Sequence, residues 1–330
     1  MTKVSVLGAG AWGTALAIIS HSAGRKTTLW AKDSSLSQEI KKTQENKRYL
    51  AGIKIAPSIE VTSDLGRAAK ADIILLAVPA QTIRFLAEQL KSLISSETYL
   101  VICAKGIEMK TGLLMNEVLR EVFSKNSISV LSGPTFAKEV AQGLPTAATL
   151  ANNEIASGRW LASSLSSHNF RLYPSEDITG VCISGALKNV IAIAAGIATA
   201  KNYGESARAS LITRGLAEMT RLGKIKKARP ETFLGLSGVG DLILSCTSTQ
   251  SRNMSLGFLL GQKNISFQQL EKGFLTEGAF TVEAVAKLAK SLKIDMPISK
   301  AVYNIIHKNS PIDEEIKTLL SRPIKNENYL

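Results

Sequence analysis

A lysine stands in the middle of the most apolar stretch of the chain. Residues 180–200, GVCISGALKNVIAIAAGIATA, are apolar or small nearly all round at helical period, the mark of a helix buried on every side. Lys188 lies at its centre with Asn189 beside it. A buried ammonium is costly unless it is paired or loses its proton. Lys188 is therefore either a core lysine snorkelling to solvent or a functional group. Its helical neighbours are Ser184, Gly185, Ile191 and Ala192. Three of these are small, so a bulky group such as a ligand has room on that face.

A second chemical signature lies at the start of the chain. Residues 3–7 form a β-branched run ending in Gly8-Ala9-Gly10-Ala11-Trp12-Gly13, and residues 14–20 read as helix. Strand, glycine turn and helix follow in the order a dinucleotide-binding unit requires. Gly8 permits the tight turn, Gly10 admits a pyrophosphate and Gly13 lets the helix pack on the strand. Free N–H groups at the helix start then face the phosphates. About 20 residues on, where a carboxylate favours NAD and a cation favours NADP, the chain offers both, Lys32 and then Asp33. The choice between NADP and NAD stays open.

These residues need a scaffold. Segments 26–30, 73–78, 99–103 and 128–131 read as strands, and 34–43, 81–93 and 111–123 as helices, with 46–58 an irregular link. Two further strands, 145–150 and 169–172, flank a helix at 153–165. The alternation implies a doubly wound parallel sheet, whose ligands bind beyond the carboxyl ends of the strands. Lys105 and residues 133–137 follow strands and are candidates to line that cleft. Beyond residue 176 only helical patterns persist: 180–200, 206–222, 252–260, 279–292 and 299–307. The expected fold is α/β, a Rossmann-type dinucleotide-binding domain over 1–180 and an all-helical substrate domain over 181–330, with a loose polar end at 322–330. The glycine-dense run 235–240 puts Asp241 on a tight loop. Ser251-Arg252-Asn253 places a guanidinium between two small hydrogen bonders at a helix start, which suits phosphate.

Composition narrows the classes. Apolar residues make 45% of the chain and charged residues 20%, as in a globular protein with a real core. The net charge of +13 invites a nucleic-acid reading, but the basic residues are dispersed and aromatic residues make only 5%. The charge suits anionic small ligands, or only a solvated surface, better. Three scattered cysteines have no metal spacing, so no metal is expected. The apolar run inside 180–200 is too short for a membrane span, and the first residues lack a signal-peptide layout. No stable membrane association and a cytoplasmic location are the expectations. His21, His168 and His307 are scattered, and none has an evident partner. Lys188 is the better proton-transfer group, with a neighbouring cation such as Lys105 lowering its pKa.

Together, GAGAWGTALA at 8–17, AVP at 77–79, AKG at 104–106, SGPTFAKEV at 132–140, GALKNVIAIAAG at 185–196, GLSGVGDL at 235–242 and SRN at 251–253 resemble the bacterial soluble NAD(P)-dependent glycerol-3-phosphate dehydrogenases. The blocks run in family order over nearly the whole chain. Ala80 departs from the usual serine, and Leu275-Thr276-Glu277 from a valine-rich version. The resemblance implies interconversion of dihydroxyacetone phosphate and sn-glycerol 3-phosphate, for phospholipid synthesis. It makes Lys188 the proton acceptor. It implies substrate contacts from Lys105, Gly133, Thr135, Lys188, Asp241, Ser251, Arg252 and Asn253. It implies dinucleotide contacts from Gly8, Gly10, Ala11, Trp12, Gly13, Lys32, Lys105, Ala137, Arg252, Leu275 and Glu277. It also implies a homodimer. The residues alone leave two alternatives, a related dehydrogenase acting on a hydroxy acid and a dinucleotide-binding protein without turnover.

Overall fold

The computed structural model describes residues 1–263, 267–269, 276–324 and 326. The chain divides into two compact units. One comprises Met1–Ala104 with Met115–Ile178; the other comprises Lys105–Leu114 with Thr179–Leu330. The excursion over 105–114 departs from the expected division at residue 180.

In the first unit the elements run β1 (Lys3–Leu7), α1 (Ala11–Ser22), β2 (Lys26–Trp30), α2 (Ser34–Thr43), β3 (Glu60–Thr62), α3 (Leu65–Ala68) and β4 (Ile73–Leu76). They continue with α4 (Ile83–Leu90), β5 (Tyr99–Ile102), α5 (Met115–Val122), β6 (Ile128–Ser132), α6 (Ala137–Ala141), β7 (Thr146–Asn152), α7 (Ile155–Leu165) and β8 (Phe170–Ser175). The strands form one eight-stranded sheet in the order β3-β2-β1-β4-β5-β6-β7-β8. All neighbours are parallel except β6 and β7. The apolar run of β4, Ile73–Leu76, is buried throughout, as a strand covered on both faces must be. Strand order reverses between β1 and β4, which opens the crevice where such sheets hold ligands.

The expected strands and major helices of this unit are present, with differences at their ends. The three residues of β3 carry no periodicity of their own; the strand is fixed by pairing Val61 with Leu29 and Thr62 with Trp30. The helix expected from residue 111 begins at Met115. Residues 107–114 instead close on themselves: the Glu108 N–H donates to the Leu113 carbonyl at 2.9 Å and Gly112 N–H to the Glu108 carbonyl at 2.8 Å. Ile107 and Leu114 are both fully buried.

The second unit holds α8 (Ile178–Ala200, its first residue belonging to the sheet unit), α9 (Gly204–Ile225), α10 (Pro230–Phe233) and α11 (Asp241–Thr247). After these come α12 (Arg252–Lys263), α13 (Glu277–Leu292), α14 (Pro297–His307) and α15 (Ile312–Leu320). No strand follows residue 176 among the described residues. α8 is long and apolar enough to cross a membrane, yet 94% of its apolar stretch is buried within the fold. Its packing with α12 is backbone on backbone. A Cβ on Gly196 would fall 2.1 Å from the Met254 carbonyl oxygen, and one on Gly257 would fall 1.9 Å from that of Ile193. On α9, buried Glu218 accepts from Ile298 N at 2.5 Å, Ser299 N at 3.1 Å and Ser299 Oγ at 2.7 Å, which caps α14. Burial pushes the Glu218 carboxyl up to about 7. Residues 325 and 327–330 of the polar end lie outside the described residues.

Candidate active site

Lys188 is buried at 8% exposure on a helix with no other charged side chain. Its amine donates to Asp241 Oδ1 at 2.6 Å and to Ser245 Oγ at 2.8 Å. The second oxygen of Asp241 takes Lys105 Nζ, also at 2.6 Å. One carboxylate, itself 1% exposed, is thus shared by two ammonium groups. Burial is the strongest influence on Lys188 and lowers its pKa from 10.5 to about 8. Asp241 raises it, and the Lys105 charge lowers it further. Burial therefore wins over the ion pair, and the amine exchanges its proton near neutral pH.

Three elements make this cluster. α8 carries Lys188 on a buried face. The loop closed at 107–114 fixes Lys105 at its head. The turn before α11 fixes Asp241, which was expected on a loop but opens the helix. That turn needs glycine: a Cβ on Gly238 would fall 2.1 Å from the Phe233 carbonyl oxygen. Ser245 follows Asp241 by four residues on α11 and so shares its face. Its hydroxyl lies 3.4 Å from Asp241 Oδ1. Ser245 belongs to no sequence motif; its i,i+4 spacing from Asp241 is the signal in the chain that places it at the site.

Asn189 extends the cluster. Its Nδ2 donates to the Gly185 carbonyl at 3.3 Å and to the Lys105 carbonyl at 3.5 Å. Its Oδ1 accepts from Asn253 Nδ2 at 2.9 Å, while Asn253 Oδ1 accepts from the Gly278 N–H at 3.0 Å. This amide chain ties α8, the Lys105 loop, α12 and the start of α13 together. Ser251 is buried, and its hydroxyl accepts from Met254 N at 3.4 Å, as an N-cap of α12 does. Arg252, next to it, is exposed. Glu277 is the first residue of α13, and Leu275 lies outside the described residues. The small-residue face is less open than its composition implied, since Ser184 and Ala192 are fully buried. His307 is occupied structurally, its Nε2 2.9 Å from the Ala279 carbonyl oxygen.

The remaining candidates belong to the sheet unit. Gly8 has φ +115°, where only glycine is at ease, and a Cβ there would meet the Ala77 carbonyl oxygen at 2.6 Å. A Cβ on Gly13 would lie 1.8 Å from the Gly8 carbonyl oxygen. A Cβ on Gly10 would meet nothing within 4 Å, so open space lies beside the turn at that position. No side chain caps α1, and buried Trp12 Nε1 has no partner among the described residues. These features fit a dinucleotide pyrophosphate at the start of α1. Ala11, Trp12 and Ala137 pack on one apolar core.

Lys32 is exposed, its amine 5.8 Å from the centre of the Phe85 ring. Asp33 is committed elsewhere. Its carboxylate caps α2, accepting from Ser35 N at 2.9 Å and Leu36 N at 3.4 Å, and the hydrogen bond from the Ser35 hydroxyl leads the causes holding its pKa below the usual value. Gly133 has a packing reason for being glycine, since a Cβ would lie 2.7 Å from Ala148 Cα on β7. Thr135 Oγ1 donates to the Gly133 carbonyl at 3.2 Å.

Comparisons with known proteins identify the family. Residues 3–157 match the family model for the NAD-dependent glycerol-3-phosphate dehydrogenase N-terminus, and residues 177–317 match that for its C-terminus. The chain is 47% identical over 326 residues to a glycerol-3-phosphate dehydrogenase [NAD(P)+] of Parvibaculum lavamentivorans, covering 98% of each. It is 49% identical over 325 residues to that of Bradyrhizobium diazoefficiens, again covering 98% of each. Among solved structures, the glycerol-3-phosphate dehydrogenase of Coxiella burnetii superposes with a TM-score of 0.93 at 35% identity, covering 97% of this chain and 99% of that one. The chain belongs to the NAD-dependent glycerol-3-phosphate dehydrogenase family.

Proposed function

We propose that this protein is an NAD(P)-dependent oxidoreductase interconverting dihydroxyacetone phosphate and sn-glycerol 3-phosphate. The observation that carries the reading is the buried Lys188 amine, held by Asp241 and Ser245 and brought to a pKa of about 8. Reduction of a ketone needs an acid at the carbonyl oxygen, and oxidation of a secondary alcohol needs a base at the hydroxyl. An amine near half-protonation serves both.

A nicotinamide dinucleotide supplies or accepts the hydride. In the reducing direction Lys188 donates its proton to the carbonyl oxygen as the alkoxide forms. In the oxidising direction the neutral amine takes the hydroxyl proton. Asp241 keeps the amine aimed, and Lys105 on the other carboxylate oxygen adds positive potential where the oxygen turns negative. Arg252, at the start of α12 beside Ser251 and Asn253, is assigned to the substrate phosphate. Gly133 and Thr135 are assigned to the substrate as well. On the dinucleotide side, Gly8, Gly10, Ala11, Trp12 and Gly13 take the pyrophosphate, and Lys32 takes the adenosine ribose. The remaining assignments, Ala137, Leu275 and Glu277, rest on the family motif.

The names of the relatives support this reaction. The product would feed phospholipid synthesis, and the active form is assigned as a cytoplasmic homodimer, which sedimentation and cell fractionation test. Steady-state kinetics with dihydroxyacetone phosphate and each reduced dinucleotide test the reaction. Substrate-dependent oxidation of the dinucleotide is expected; its absence from folded, dinucleotide-bound protein would refute the proposal.

A further inference from the structure

Asn46 is the polar residue of the sheet unit whose burial most requires an explanation. It lies in the irregular segment between α2 and β3, outside every motif, and is 0% exposed. Its Nδ2 donates to the Ala9 carbonyl at 2.9 Å and to Thr14 Oγ1 at 2.8 Å. Its Oδ1 accepts from Tyr49 N at 3.3 Å, and its own carbonyl accepts from Leu50 N at 2.8 Å. One side chain therefore spans the glycine turn, from the residue between Gly8 and Gly10 to the first turn of α1.

The bond to Ala9 has a geometric consequence. The Ala9–Gly10 peptide is planar and trans, so its carbonyl and the Gly10 N–H point in opposite directions. Holding the Ala9 oxygen toward Asn46 turns the Gly10 N–H the other way. That N–H donates to nothing among the described residues, and Gly10 is the position of the turn with open space beside it. The amide of Asn46 also satisfies a buried carbonyl that would otherwise lack a partner.

We propose that Asn46 is a positioning residue for the dinucleotide, orienting the Gly10 N–H toward the pyrophosphate. The proposal rests on the dinucleotide-binding reading above and adds a residue to it. Asn46 touches the turn and not the reacting atoms, so its effect belongs in dinucleotide affinity and not in the chemical step.

The test compares Asn46→Asp, Thr14→Val and the unmutated protein. Asn46→Asp keeps the shape and the acceptor for Tyr49 but replaces the donor to Ala9 with an oxygen. Dissociation constants for NADH and NADPH come from fluorescence titration without turnover. The Michaelis constant for dihydroxyacetone phosphate, kcat at saturating dinucleotide and Tm are measured alongside. Asn46→Asp is expected to weaken dinucleotide binding at least about tenfold, and Thr14→Val about threefold. The kcat and the constant for dihydroxyacetone phosphate should stay within about twofold. A folded Asn46→Asp protein with unchanged dinucleotide affinity would overturn the proposal. So would equal losses in dinucleotide affinity, kcat and the constant for the phosphorylated substrate, the pattern of a general structural strut. If Asn46→Asp does not fold, Thr14→Val decides, and unchanged affinity there overturns the proposal. Unmutated protein that binds dinucleotide without reducing dihydroxyacetone phosphate would refute the reaction and leave the Asn46 titration decisive. Unmutated protein that binds neither dinucleotide would overturn both.

Discussion

Lys188 Nζ lies 2.6 Å from Asp241 Oδ1, so the group assigned to proton transfer is held by a carboxylate that raises its affinity for the proton. Burial opposes that effect and exceeds it, and Lys105 on the other carboxylate oxygen adds to burial. The shared carboxylate fixes both amines in space, while two cations against one anion keep it from locking the Lys188 proton in place.

The pH profile follows from this balance. Below a pKa of about 8, Lys188 holds its proton and can donate but not accept. The kcat/KM for oxidation of glycerol 3-phosphate should therefore rise with pH through a limb near 8. In the reducing direction kcat/KM should fall above the same pH. Rate profiles in both directions check this; a limb near the ordinary lysine value of 10.5 would show that burial does not control the amine.

Asp241→Asn tests the carboxylate. The substitution keeps the shape but removes the charge that raises the Lys188 pKa, and it leaves Lys105 facing an uncompensated neighbour. The limb should move below its position in the unmutated enzyme, and kcat should fall at least about a hundredfold. A pH profile of the residual activity reads both effects, and an upward shift would contradict the assigned roles.

The glycines of the turn should separate by substitution. Gly13→Ala places a methyl group 1.8 Å from the Gly8 carbonyl oxygen, so it should lower Tm and dinucleotide affinity together. Gly10→Ala meets no atom of the fold within 4 Å. It should leave Tm near that of the unmutated protein while weakening dinucleotide binding at least about tenfold. Thermal melts paired with titrations give the comparison.

Dinucleotide preference should depend on Lys32. Asp33 caps α2 through Oδ1 and faces Arg48 through Oδ2, while the exposed Lys32 amine has no carboxylate partner among the described residues. Lys32→Ala should lower the ratio of kcat/KM for NADPH over NADH by about tenfold. Asp33→Asn should lower Tm and leave the ratio unchanged. Paired kinetics with the two dinucleotides settle the assignment.

Much of this could be read from the chain. Lys188 stood out because one charge interrupts a helix otherwise apolar on every face. Gly8, Gly10 and Gly13 stood out because strand, turn and helix follow in order. What stayed hidden depends on contacts between distant residues. Ser245 is an ordinary helical serine until Lys188, 57 positions away, reaches it. Asn46 looks like a loop residue until it meets Ala9, 37 positions back. The loop over 105–114 has strand and helix on either side, and nothing local assigns it to the helical unit. Asn253 reads as a small hydrogen bonder at a helix start, and its place in the amide chain between Asn189 and Gly278 emerges only in the fold.

The central claim is that Lys188 transfers the proton when dihydroxyacetone phosphate is reduced. The most direct measurement is the rate of NAD(P)H oxidation with that substrate for the unmutated enzyme and for Lys188→Ala, each first shown to bind the dinucleotide. The account predicts substrate-dependent turnover by the former and loss of it, with dinucleotide affinity retained, in the latter. Turnover by Lys188→Ala at the unmutated rate would contradict it.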